Sequence, residues 1–414
     1  MTALQEARDD RNPADVRESA LIPARRSGRV DELEHQIDCL RDRLRLAVVY
    51  GGDRSADGAV IRQSGQPRSW QSYRGAAEDI AAALGRLGFR HCVLVPDDMR
   101  LGEVLLREGA HLAWLNTGGV QGYNPVCHAP AMLEMLGVPY LGHNPLTAGT
   151  LDHKHIFKQE LGHIEVPTAP FVTWHPARGT FRPNVNSRFL ETFKDHWGPY
   201  VVKPVSGRES RQVHFVDEES KLTETVARVF EATENHVLIE AYLPGREFSI
   251  VVGGCIVARQ RALSRLSDPF AFAAVERVHA EQEPILRLAD SGTAGVGATG
   301  GAGLRQLDPR SDETVLAQLY EIARKVWVEL SLESPIRLDL REDAEGTLHV
   351  LEANPIPDLT ASGAPGESLV SDALSTLGMD YDDLILALLA DRLDVLFCRH
   401  RGAASHLTAL LAGH

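Results

Sequence analysis

Two short apolar segments on either side of a polar turn constrain the fold of this chain more than any other feature. Residues 337–340 read Arg-Leu-Asp-Leu, and residues 348–355 read Leu-His-Val-Leu-Glu-Ala-Asn-Pro. Two such segments around a short polar connection that contains glycine predict a β-hairpin. Because side chains alternate between the two faces of a strand, we expect Leu338, Leu340 and Leu351 to share one face.

The opposite face of the predicted hairpin carries two carboxylates. If the turn centres on residues 345–346, Asp339 lies opposite Glu352 and Arg337 lies opposite Asn354. Opposed like charges destabilise a sheet, and such breaks in local rules tend to mark functional sites. Two carboxylates and an amide oxygen suit a hard cation such as Mg²⁺, which prefers oxygen ligands and often binds substrate phosphates as well. The alternative is an exposed hairpin whose charges are solvated or balanced by Arg337.

The composition limits the classes of protein to which the chain can belong. Its 414 residues leave room for two or three domains, and 24% charged with 43% hydrophobic residues is ordinary for a globular protein. The formal net charge of −14 argues against a nucleic-acid partner, which needs clustered Lys and Arg. Five widely spaced cysteines form neither a zinc pattern nor a disulfide framework. With no signal-peptide pattern and no apolar run long enough to span a bilayer, the sequence predicts a cytoplasmic protein without a membrane partner.

The N-terminal extension, residues 1–44, is expected to be disordered at first and then to form a short amphipathic helix. From Val30 to Leu44, apolar residues recur at alternating spacings of three and four, which is a helical seam over two heptads. The seam has two interpretations. It either docks the helix on the body of the same chain or serves as the dimerisation element of a possible homodimer.

The next segment, residues 45–150, predicts a doubly wound α/β domain with a parallel sheet. It opens with the apolar strand 46–50, which runs into Gly51 and Gly52, and further strand signals alternate with helical ones. In such a domain, ligands bind at the carboxyl ends of the strands. The glycine-rich, polar run 116–124 is therefore expected at the edge of the same crevice.

Basic residues and a polar loop follow this domain. Lys154 and Lys158 lie one turn apart on one face of a predicted helix, and Lys203 lies near the end of a short apolar strand. The polar loop 206–211 separates this strand from the next strand, 213–216. Such a loop can wrap phosphates through backbone N–H groups and hydroxyls, although it lacks the P-loop pattern. The alternative is an ordinary hairpin turn.

In their combined order and spacing, these segments resemble the ATP-grasp superfamily, and within it the D-alanine–D-alanine ligase branch. The resemblance runs from residue 46 to residue 397 and is most specific over residues 151–362. It implies an ATP-grasp fold with α+β nucleotide-binding subdomains after the parallel-sheet domain. The central, lid subdomain would span residues 151–247, and the metal- and substrate-binding subdomain would span residues 248–397. A C-terminal tail, residues 398–414, would follow.

The resemblance assigns roles to the residues of the hairpin. Asp339, Glu352 and Asn354 are similar to the family's metal ligands, which hold two Mg²⁺ (or Mn²⁺) ions that bridge the β- and γ-phosphates of ATP. Arg337 matches a catalytic arginine that stabilises charge on the acyl-phosphate and tetrahedral intermediates. Charge of this kind builds up in both steps of the implied reaction, so converging cations are expected.

The resemblance also implies an ATP site upstream of the hairpin. Lys154 and Lys203 match lysines that contact the phosphates, whereas Lys158 is expected to contribute much less. Residues 240–243 look like the linker that holds adenine by backbone hydrogen bonds, and Glu247 stands at the position of the ribose-binding glutamate. The implied ATP-binding residues are Lys154, Lys203, Ser206, Gly207, Arg208, Ser210, Glu240, Ala241, Tyr242, Leu243 and Glu247.

The sequence departs from the family pattern where the amino-acid substrates bind. Asp57 replaces a glutamate that holds the ammonium group of the first D-alanine, and it follows an inserted residue. We expect Asp57 to remain a catalytic, substrate-binding residue. Asp358 stands in place of a glycine that helps to form the oxyanion hole, and Ser362 belongs to the implied substrate pocket. The family's Leu-His-Gly motif is absent, and the run 116–124 lies there instead, so both amino-acid pockets are expected to be rebuilt.

The implied function is an ATP-dependent carboxylate–amine ligase. A carboxylate attacks the γ-phosphate to give an acyl phosphate and ADP, and an amine then displaces phosphate to form an amide or peptide bond. The expected substrates are small-molecule carboxylates and amines, namely amino acids or a short peptide other than D-alanyl-D-alanine, in specialised metabolism. Because water would destroy the acyl phosphate, a closing lid is expected, and loops 206–211 and 291–303 are the candidates.

Three alternatives remain open at this stage. The first is an authentic D-alanine–D-alanine ligase of cell-wall synthesis with an unusual first domain. The second is an ATP-grasp carboxylase that acts on bicarbonate. The third is a catalytically inactive nucleotide-binding regulatory protein, against which the opposed carboxylates argue because an inactive site has no need of them.

Overall fold

The structure is a computed structural model of the chain. Among the residues that it describes, no helix combines the length and the apolar character that a membrane crossing requires. Residues 1–26, which belong to the segment predicted to be disordered, fall outside those residues. The described residues are 27–64, 70–196, 198–207, 210–278, 285, 303–361, 368–400 and 402–412.

The N-terminal part of the fold is a parallel sheet covered by helices. Its elements are, in chain order, α1 (Ser27–Leu40), β1 (Arg45–Gly51), α2 (Arg74–Arg86), β2 (His91–Asp97), α3 (Leu101–Glu108), β3 (Leu112–Asn116), α4 (His128–Leu136), β4 (Tyr140–Leu141) and α5 (Pro145–Asp152). The four strands run parallel in the order β2-β1-β3-β4, as the doubly wound pattern predicts. Leu46 and Val48 of β1 pack into one apolar core and Ala47 and Val49 into another. Burial on both faces explains why β1 is continuously apolar.

Gly51 and Gly52 end β1 at a point where the chain has no room for a side chain. A Cβ atom at Gly51 would lie 2.2 Å from the carbonyl oxygen of Gln71. A Cβ atom at Gly52 would lie 2.6 Å from the carbonyl oxygen of Asp97. The two glycines therefore permit the close packing of the crevice edge, which their sequence position alone does not reveal.

A smaller antiparallel sheet follows. Its elements are α6 (Lys154–His163), β5 (Phe171–Trp174), α7 (Ser187–Thr192), β6 (Tyr200–Pro204), β7 (His214–Val216), α8 (Leu222–Thr233) and β8 (Val237–Ala241). The strands are hydrogen-bonded in the order β5-β8-β6-β7. Val226 and Val229 of α8 are buried with Val202 of β6 and Ile239 of β8 in one core cluster, so α8 covers one face of this sheet.

The C-terminal part contains a second antiparallel sheet. Its elements are β9 (Glu247–Val252), β10 (Ile256–Arg259), β11 (Ala262–Arg265), β12 (Ala271–Val278), β13 (Gly303–Gln306), α9 (Glu313–Glu329), β14 (Ile336–Glu342), β15 (Leu348–Asn354), α10 (Tyr381–Cys398) and α11 (Ser405–Ala412). The strand order in the larger sheet is β13-β12-β9-β14-β15, and β10 pairs with β11 separately. The predicted domain boundary after residue 150 falls within α5. The predicted boundary after residue 247 falls at the start of β9. Both boundaries stay predictions.

The hairpin β14–β15 has the predicted pairing at its open end. Asp339 pairs with Glu352 and Arg337 pairs with Asn354. A β-bulge then shifts the register, so that Leu340 pairs with a residue other than Leu351. Because a bulge adds one residue to a single strand, it reverses the alternation beyond it. The expectation that Leu351 shares a face with Leu340 is therefore wrong.

The seam of α1 is buried against its own chain. Leu33, Ile37 and Leu40 belong to the same core cluster as the apolar residues of α10, and α1 also contacts α11. The docking interpretation of this helix is confirmed. The homodimer stays a prediction that this seam no longer supports, because the seam is already covered.

The predicted C-terminal tail packs on the N-terminal part of the fold. Leu407 of α11 is buried, and Arg43 donates a hydrogen bond of 2.8 Å to the carbonyl oxygen of Leu410. Nε2 of His406 lies 2.8 Å from the carbonyl oxygen of His111. Helix α11 thus packs against the same apolar core as α1 and α10.

Candidate functional site

A cavity of about 100 Å³ lies between the two antiparallel sheets. Strands β6 and β8 form one wall, and β9, β12, β14 and β15 form the other. Most of the predicted ATP and metal residues meet here, although they come from five segments of the sequence. Those that line the cavity are Lys154, Lys203, Gly207, Ser210, Glu240, Ala241, Tyr242, Leu243, Glu247, Asp339 and Glu352.

Lys154 connects three parts of the site. It is the first residue of α6, and its backbone N–H donates to the carbonyl oxygen of Val205 at 2.8 Å. Its ammonium group donates to the carbonyl oxygen of Gly207 at 3.1 Å and lies 3.3 Å from a carboxylate oxygen of Glu352. The lysine therefore lies between the loop that follows β6 and the hairpin β14–β15.

Lys203 reaches the cavity as part of a buried ion triad. Its Nζ atom lies 2.5 Å from Oε1 of Glu240, and Nζ of Lys158 lies 3.0 Å from Oε2 of the same carboxylate. Burial disfavours the charge on Glu240, but the two lysines outweigh burial and lower its pKa. Burial likewise opposes the charge on Lys203, and Glu240 outweighs it and raises the pKa of Lys203. The side chain of Glu240 thus holds the ammonium group of Lys203 in place, a contact that the sequence reasoning missed.

Lys158 shares the carboxylate of Glu240 with Lys203 and is therefore part of the same group of charged side chains. Its side chain is 0% exposed, and burial lowers its pKa even beside Glu240. It donates to the hydroxyl of Thr168 at 2.6 Å, and Thr168 donates to the carbonyl oxygen of Val350 at 2.7 Å. Lys158 therefore connects Glu240 of β8 with the hairpin, and the expectation of a minor role for it does not fit its position.

The predicted adenine linker has already used two of its backbone N–H groups. The N–H of Ala241 donates to the carbonyl oxygen of Pro170, and that of Tyr242 donates to the carbonyl oxygen of Pro199, both at 3.0 Å. Recognition of a base by this segment must therefore rely on its carbonyl oxygens and on Leu243, which lines the cavity.

Two buried arginines line the cavity beside Glu247, and the sequence reasoning missed both. Arg341 stacks over the ring of Tyr242 at 4.8 Å and donates to its hydroxyl at 2.9 Å. Arg341 and Arg277 approach opposite oxygens of Glu247, at 3.5 Å and 3.4 Å. The signal for Arg341 was its spacing, because it follows Asp339 by two residues and so shares its face.

Asp339 is the more enclosed of the two opposed carboxylates of the hairpin. Arg337 donates to both of its oxygens at 3.0 Å and 2.9 Å, Ser249 donates to it at 2.6 Å, and Arg277 lies 3.4 Å away. Burial opposes the charge, but Arg277 and Arg337 outweigh burial and hold the pKa of Asp339 at about 2. Asp339 therefore stays an anion throughout the physiological range.

The residues of the hairpin fit a magnesium ion that the nucleotide helps to bind. The side chain of Glu352 is 31% exposed and faces the cavity, opposite the enclosed Asp339. Within the described part of the chain, no three His, Cys, Asp or Glu side chains are grouped as a metal site. Mg²⁺ does not need such a group, because it is usually bound by one or two carboxylates, substrate phosphates and water. Asn354 ends the same strand, and its Oδ1 accepts the N–H of Ile356 at 3.2 Å.

Ser206 and Ser210, both in the polar loop 206–211, have different surroundings. The hydroxyl of Ser206 is buried and accepts a hydrogen bond of 2.7 Å from Asn235, so Ser206 holds the loop rather than lining the cavity. Ser210 lines the cavity together with Arg211, which the sequence analysis did not select. Arg208 lies outside the described residues, as do residues 291–302 of the second lid candidate.

The structure does not bring the predicted amino-acid residues to the cavity. Asp57 is exposed and lies near Arg100, whose charge it stabilises from the surface. Asp358 is exposed, and its carboxylate accepts the N–H and the hydroxyl of Thr360 at 3.0 Å and 2.6 Å. Ser362 lies outside the described residues. The roles given to these three residues stay predictions.

Comparisons with known proteins agree with this geometry. The family model described as D-ala D-ala ligase C-terminus matches residues 303–390. The uncharacterized protein y4sG of Sinorhizobium fredii (strain NBRC 101917 / NGR234) is 29% identical over 361 residues, which cover 84% of this chain and 96% of that protein. A D-alanine–D-alanine ligase of Synechococcus sp. (strain JA-3-3Ab) is 25% identical over 351 residues, with 84% and 93% covered.

Solved structures share the fold. The D-alanine–D-alanine ligase from Bacillus anthracis complexed with ATP superposes with a TM-score of 0.60 at 19% identity, covering 85% of this chain and 98% of that chain. The VanG D-Ala:D-Ser ligase from Enterococcus faecalis gives a TM-score of 0.58 at 14% identity, covering 84% and 99%. The predicted mixed α/β, ATP-grasp fold is confirmed, and the family model and the curated relatives support the resemblance to the D-alanine–D-alanine ligase-like branch of the ATP-grasp superfamily.

Proposed function

We propose that this protein is an ATP-dependent carboxylate–amine ligase that forms an amide or peptide bond and releases ADP and phosphate. One observation carries the proposal. A single cavity gathers two lysines suited to phosphates, Lys154 and Lys203, and two opposed carboxylates, Asp339 and Glu352. A binding site for a nucleotide alone gains nothing from opposed carboxylates, whereas phosphoryl transfer needs cations at the point where these groups converge.

The phosphates of ATP would lie between the loop after β6 and the hairpin. Lys154 and Lys203 hold positive charge on this path, and the Glu240 triad fixes the position of Lys203. Asp339, Glu352 and Asn354 would hold Mg²⁺, which neutralises the charge that develops on the transferred phosphoryl group. The neighbouring guanidinium of Arg337 is positioned by both oxygens of Asp339. It would stabilise the oxyanions formed when the carboxylate and then the amine react.

The substrates we propose are amino acids or a short peptide other than D-alanyl-D-alanine. In support, Asp57 lies exposed beside Arg100, away from the cavity, and the Leu-His-Gly motif is replaced by the run 116–124. The main alternative is D-alanine–D-alanine ligase, which is favoured by the names of several relatives at about one quarter identity. A role in specialised metabolism is part of the proposal, as is the use of two Mg²⁺ ions.

The test is nucleotide analysis with a substrate panel. Purified protein is incubated with ATP, Mg²⁺ and each D- and L-amino acid, alone and in pairs, and ADP, AMP and phosphate are separated by chromatography. We expect ADP and phosphate that depend on an amino acid, with little product from D-alanine alone. AMP and pyrophosphate would overturn the acyl-phosphate route. Brisk D-alanyl-D-alanine synthesis would select the alternative, and no turnover with any pair would select the inactive regulatory protein.

A further inference from the structure

A second cavity lies beside the C-terminal end of β15, the strand that carries Glu352 and Asn354. It is formed by the carboxyl ends of β3 and β4 and by the loop that follows Asn354, and its volume is about 30 Å³. Pro355, the next residue after Asn354, is part of its wall. Ligands of doubly wound domains bind at the carboxyl ends of the strands, so this is where the parallel sheet would meet a substrate of the neighbouring reaction centre.

Apolar side chains make most of this wall. The parallel-sheet side contributes Trp114, Val126 and Leu141, and the loop after β15 contributes Ile356 and Leu359. No Asp, Glu, Lys or Arg is among the described residues that line it. An ionised substrate group would therefore lose its hydration here without gaining a countercharge, whereas an apolar group would gain from leaving water.

Two polar residues of the wall, Thr117 and Asn116, are hydrogen-bonded to other parts of the protein. The hydroxyl of Thr117 donates to Asp97 at 2.8 Å, and the amide of Asn116 donates to the carbonyl oxygen of Tyr73 at 3.0 Å. Both are buried. Their hydrogen-bonding groups hold the crevice edge together, so they add little polarity to the cavity.

His143 is the one titratable side chain of the wall among the described residues. Its Nε2 lies 3.4 Å from the carbonyl oxygen of Pro335, and burial lowers its pKa to about 4. At neutral pH the imidazole is uncharged. An uncharged imidazole loses little hydration free energy when an apolar substrate group packs against it.

The volume limits the size of the group. A cavity needs about 10–15 Å³ on this scale to hold one water, so 30 Å³ corresponds to two or three waters. An aliphatic group of about three or four carbon atoms fills a similar space. Valine and leucine carry such groups, whereas alanine leaves the cavity empty and phenylalanine exceeds it.

We propose that this cavity is a side-chain pocket for an amino-acid substrate, and that the preferred residue carries a branched aliphatic side chain. This proposal rests on the ligase function proposed above. Discrimination by a single methylene in an apolar pocket reaches roughly 10–200-fold. We therefore expect valine or leucine to exceed alanine in kcat/KM by at least about tenfold.

The test measures ADP formation with glycine, alanine, valine, leucine, phenylalanine, aspartate and lysine in both stereochemical forms, each with and without hydroxylamine to trap an acyl phosphate. Two variants change the pocket. Ala148→Leu adds bulk at a buried lining residue, and Leu359→Ala removes it. Leu133→Ala is the matched control, because Leu133 is equally buried in the same part of the fold and does not line the cavity.

Ala148→Leu is expected to lower kcat/KM for valine and leucine at least about tenfold relative to kcat/KM for glycine. Leu359→Ala is expected to move the optimum toward phenylalanine, and Leu133→Ala to leave the preference unchanged. A preference for glycine, alanine or a charged residue in the wild type overturns the inference and leaves the ligase function standing. An unchanged preference among the amino acids in a folded Leu359→Ala variant also overturns the inference and leaves the ligase function standing. Absence of ADP with every amino acid overturns the ligase function, and this inference with it.

Discussion

Asp339 and Glu352 lie directly opposite each other on neighbouring antiparallel strands, and each carboxylate is paired with at least one cationic side chain. Asp339 is enclosed by Arg337 and Arg277, whereas Glu352 faces Lys154 across the cavity. The repulsion between the two carboxylates is thus compensated in the fold, but the arrangement still places two anions at one edge of a phosphate path. This pair is the centre of the proposed magnesium site.

Glu352→Gln should lower turnover by several orders of magnitude, because it removes one of the two charged ligands of the metal. The change in unfolding free energy should stay within about 1 kcal/mol, since relief of repulsion offsets the loss of the partly buried contact with Lys154. Steady-state kinetics in saturating Mg²⁺ and urea unfolding measure the two effects. Glu345→Gln, in the exposed turn of the same hairpin, is the control and should be neutral. Near-normal turnover of Glu352→Gln would remove this residue from the metal site.

Lys154→Met and Lys203→Met should each weaken ATP binding by roughly 10- to 100-fold, which is the value of a hydrogen bond to a charged group. Both ammonium groups line the cavity. Isothermal titration of ATP measures the dissociation constants. Lys194→Met is the matched control, since Lys194 is an exposed lysine of the same part of the fold, with its side chain 64% exposed. Equal affinity in all three variants would contradict the phosphate assignment.

Lys158→Met should also weaken ATP binding, by roughly tenfold, although Lys158 does not line the cavity. In the wild type, two lysines share the carboxylate of Glu240, so the triad carries one net positive charge. Without Lys158, Glu240 neutralises Lys203 completely, and less charge remains for phosphate. Circular dichroism should show a native fold. A dissociation constant within twofold of the wild type would make Lys158 a structural residue only.

Asp391→Asn should change how stability depends on pH. Burial raises the pKa of Asp391 in α10 to about 6, and its Oδ1 accepts the N–H groups of Cys255 and Ile256 at 2.9 Å and 3.2 Å. The folded protein holds this proton more tightly than the unfolded chain, so the wild type loses stability as the pH rises from about 4 through 6. The amide oxygen of Asn can accept both bonds without a charge. Urea unfolding should show the variant gaining up to about 3 kcal/mol on the wild type between pH 4 and pH 7.

A pH-independent difference between Asp391→Asn and the wild type would contradict the assignment of the raised pKa to Asp391. Asp38→Asn supplies the control, because Asp38 pairs with Arg41 at the surface of the fold. Its stability relative to the wild type should not follow the same curve.

The hairpin could be predicted from sequence because alternation and a glycine turn fix which residues face each other. The predicted pairing of Asp339 with Glu352 is observed, but the bulge contributes to it, because the pairs nearer the turn, such as Glu342 with Leu348, centre on Glu345. The bulge that turns Leu351 into the cavity could not be predicted, since it depends on how β15 fits the rest of the sheet. Arg341 had a usable signal in its spacing from Asp339.

Arg277 and Lys158 had no such signal. Arg277 lies on β12, 62 residues before Asp339, and only the order of the strands in the sheet brings the two together. Lys158 lies one helical turn after Lys154 on the same face of the helix, and this spacing does not show that its side chain is buried. It enters the core because Glu240, on a distant strand, provides a buried countercharge. Such contacts depend on tertiary structure and leave no local pattern.

The most direct test of the proposed function follows the oxygen of the substrate carboxylate. A mixture of amino acids labelled with ¹⁸O in their carboxyl groups is incubated with the wild-type protein, ATP and Mg²⁺, and the products are analysed by mass spectrometry. Attack of a carboxylate on the γ-phosphate, followed by displacement by an amine, transfers one labelled oxygen to inorganic phosphate for each ADP formed. We expect to find that label in phosphate. Label in AMP, or ADP formed without labelled phosphate, would contradict the proposed ligase chemistry.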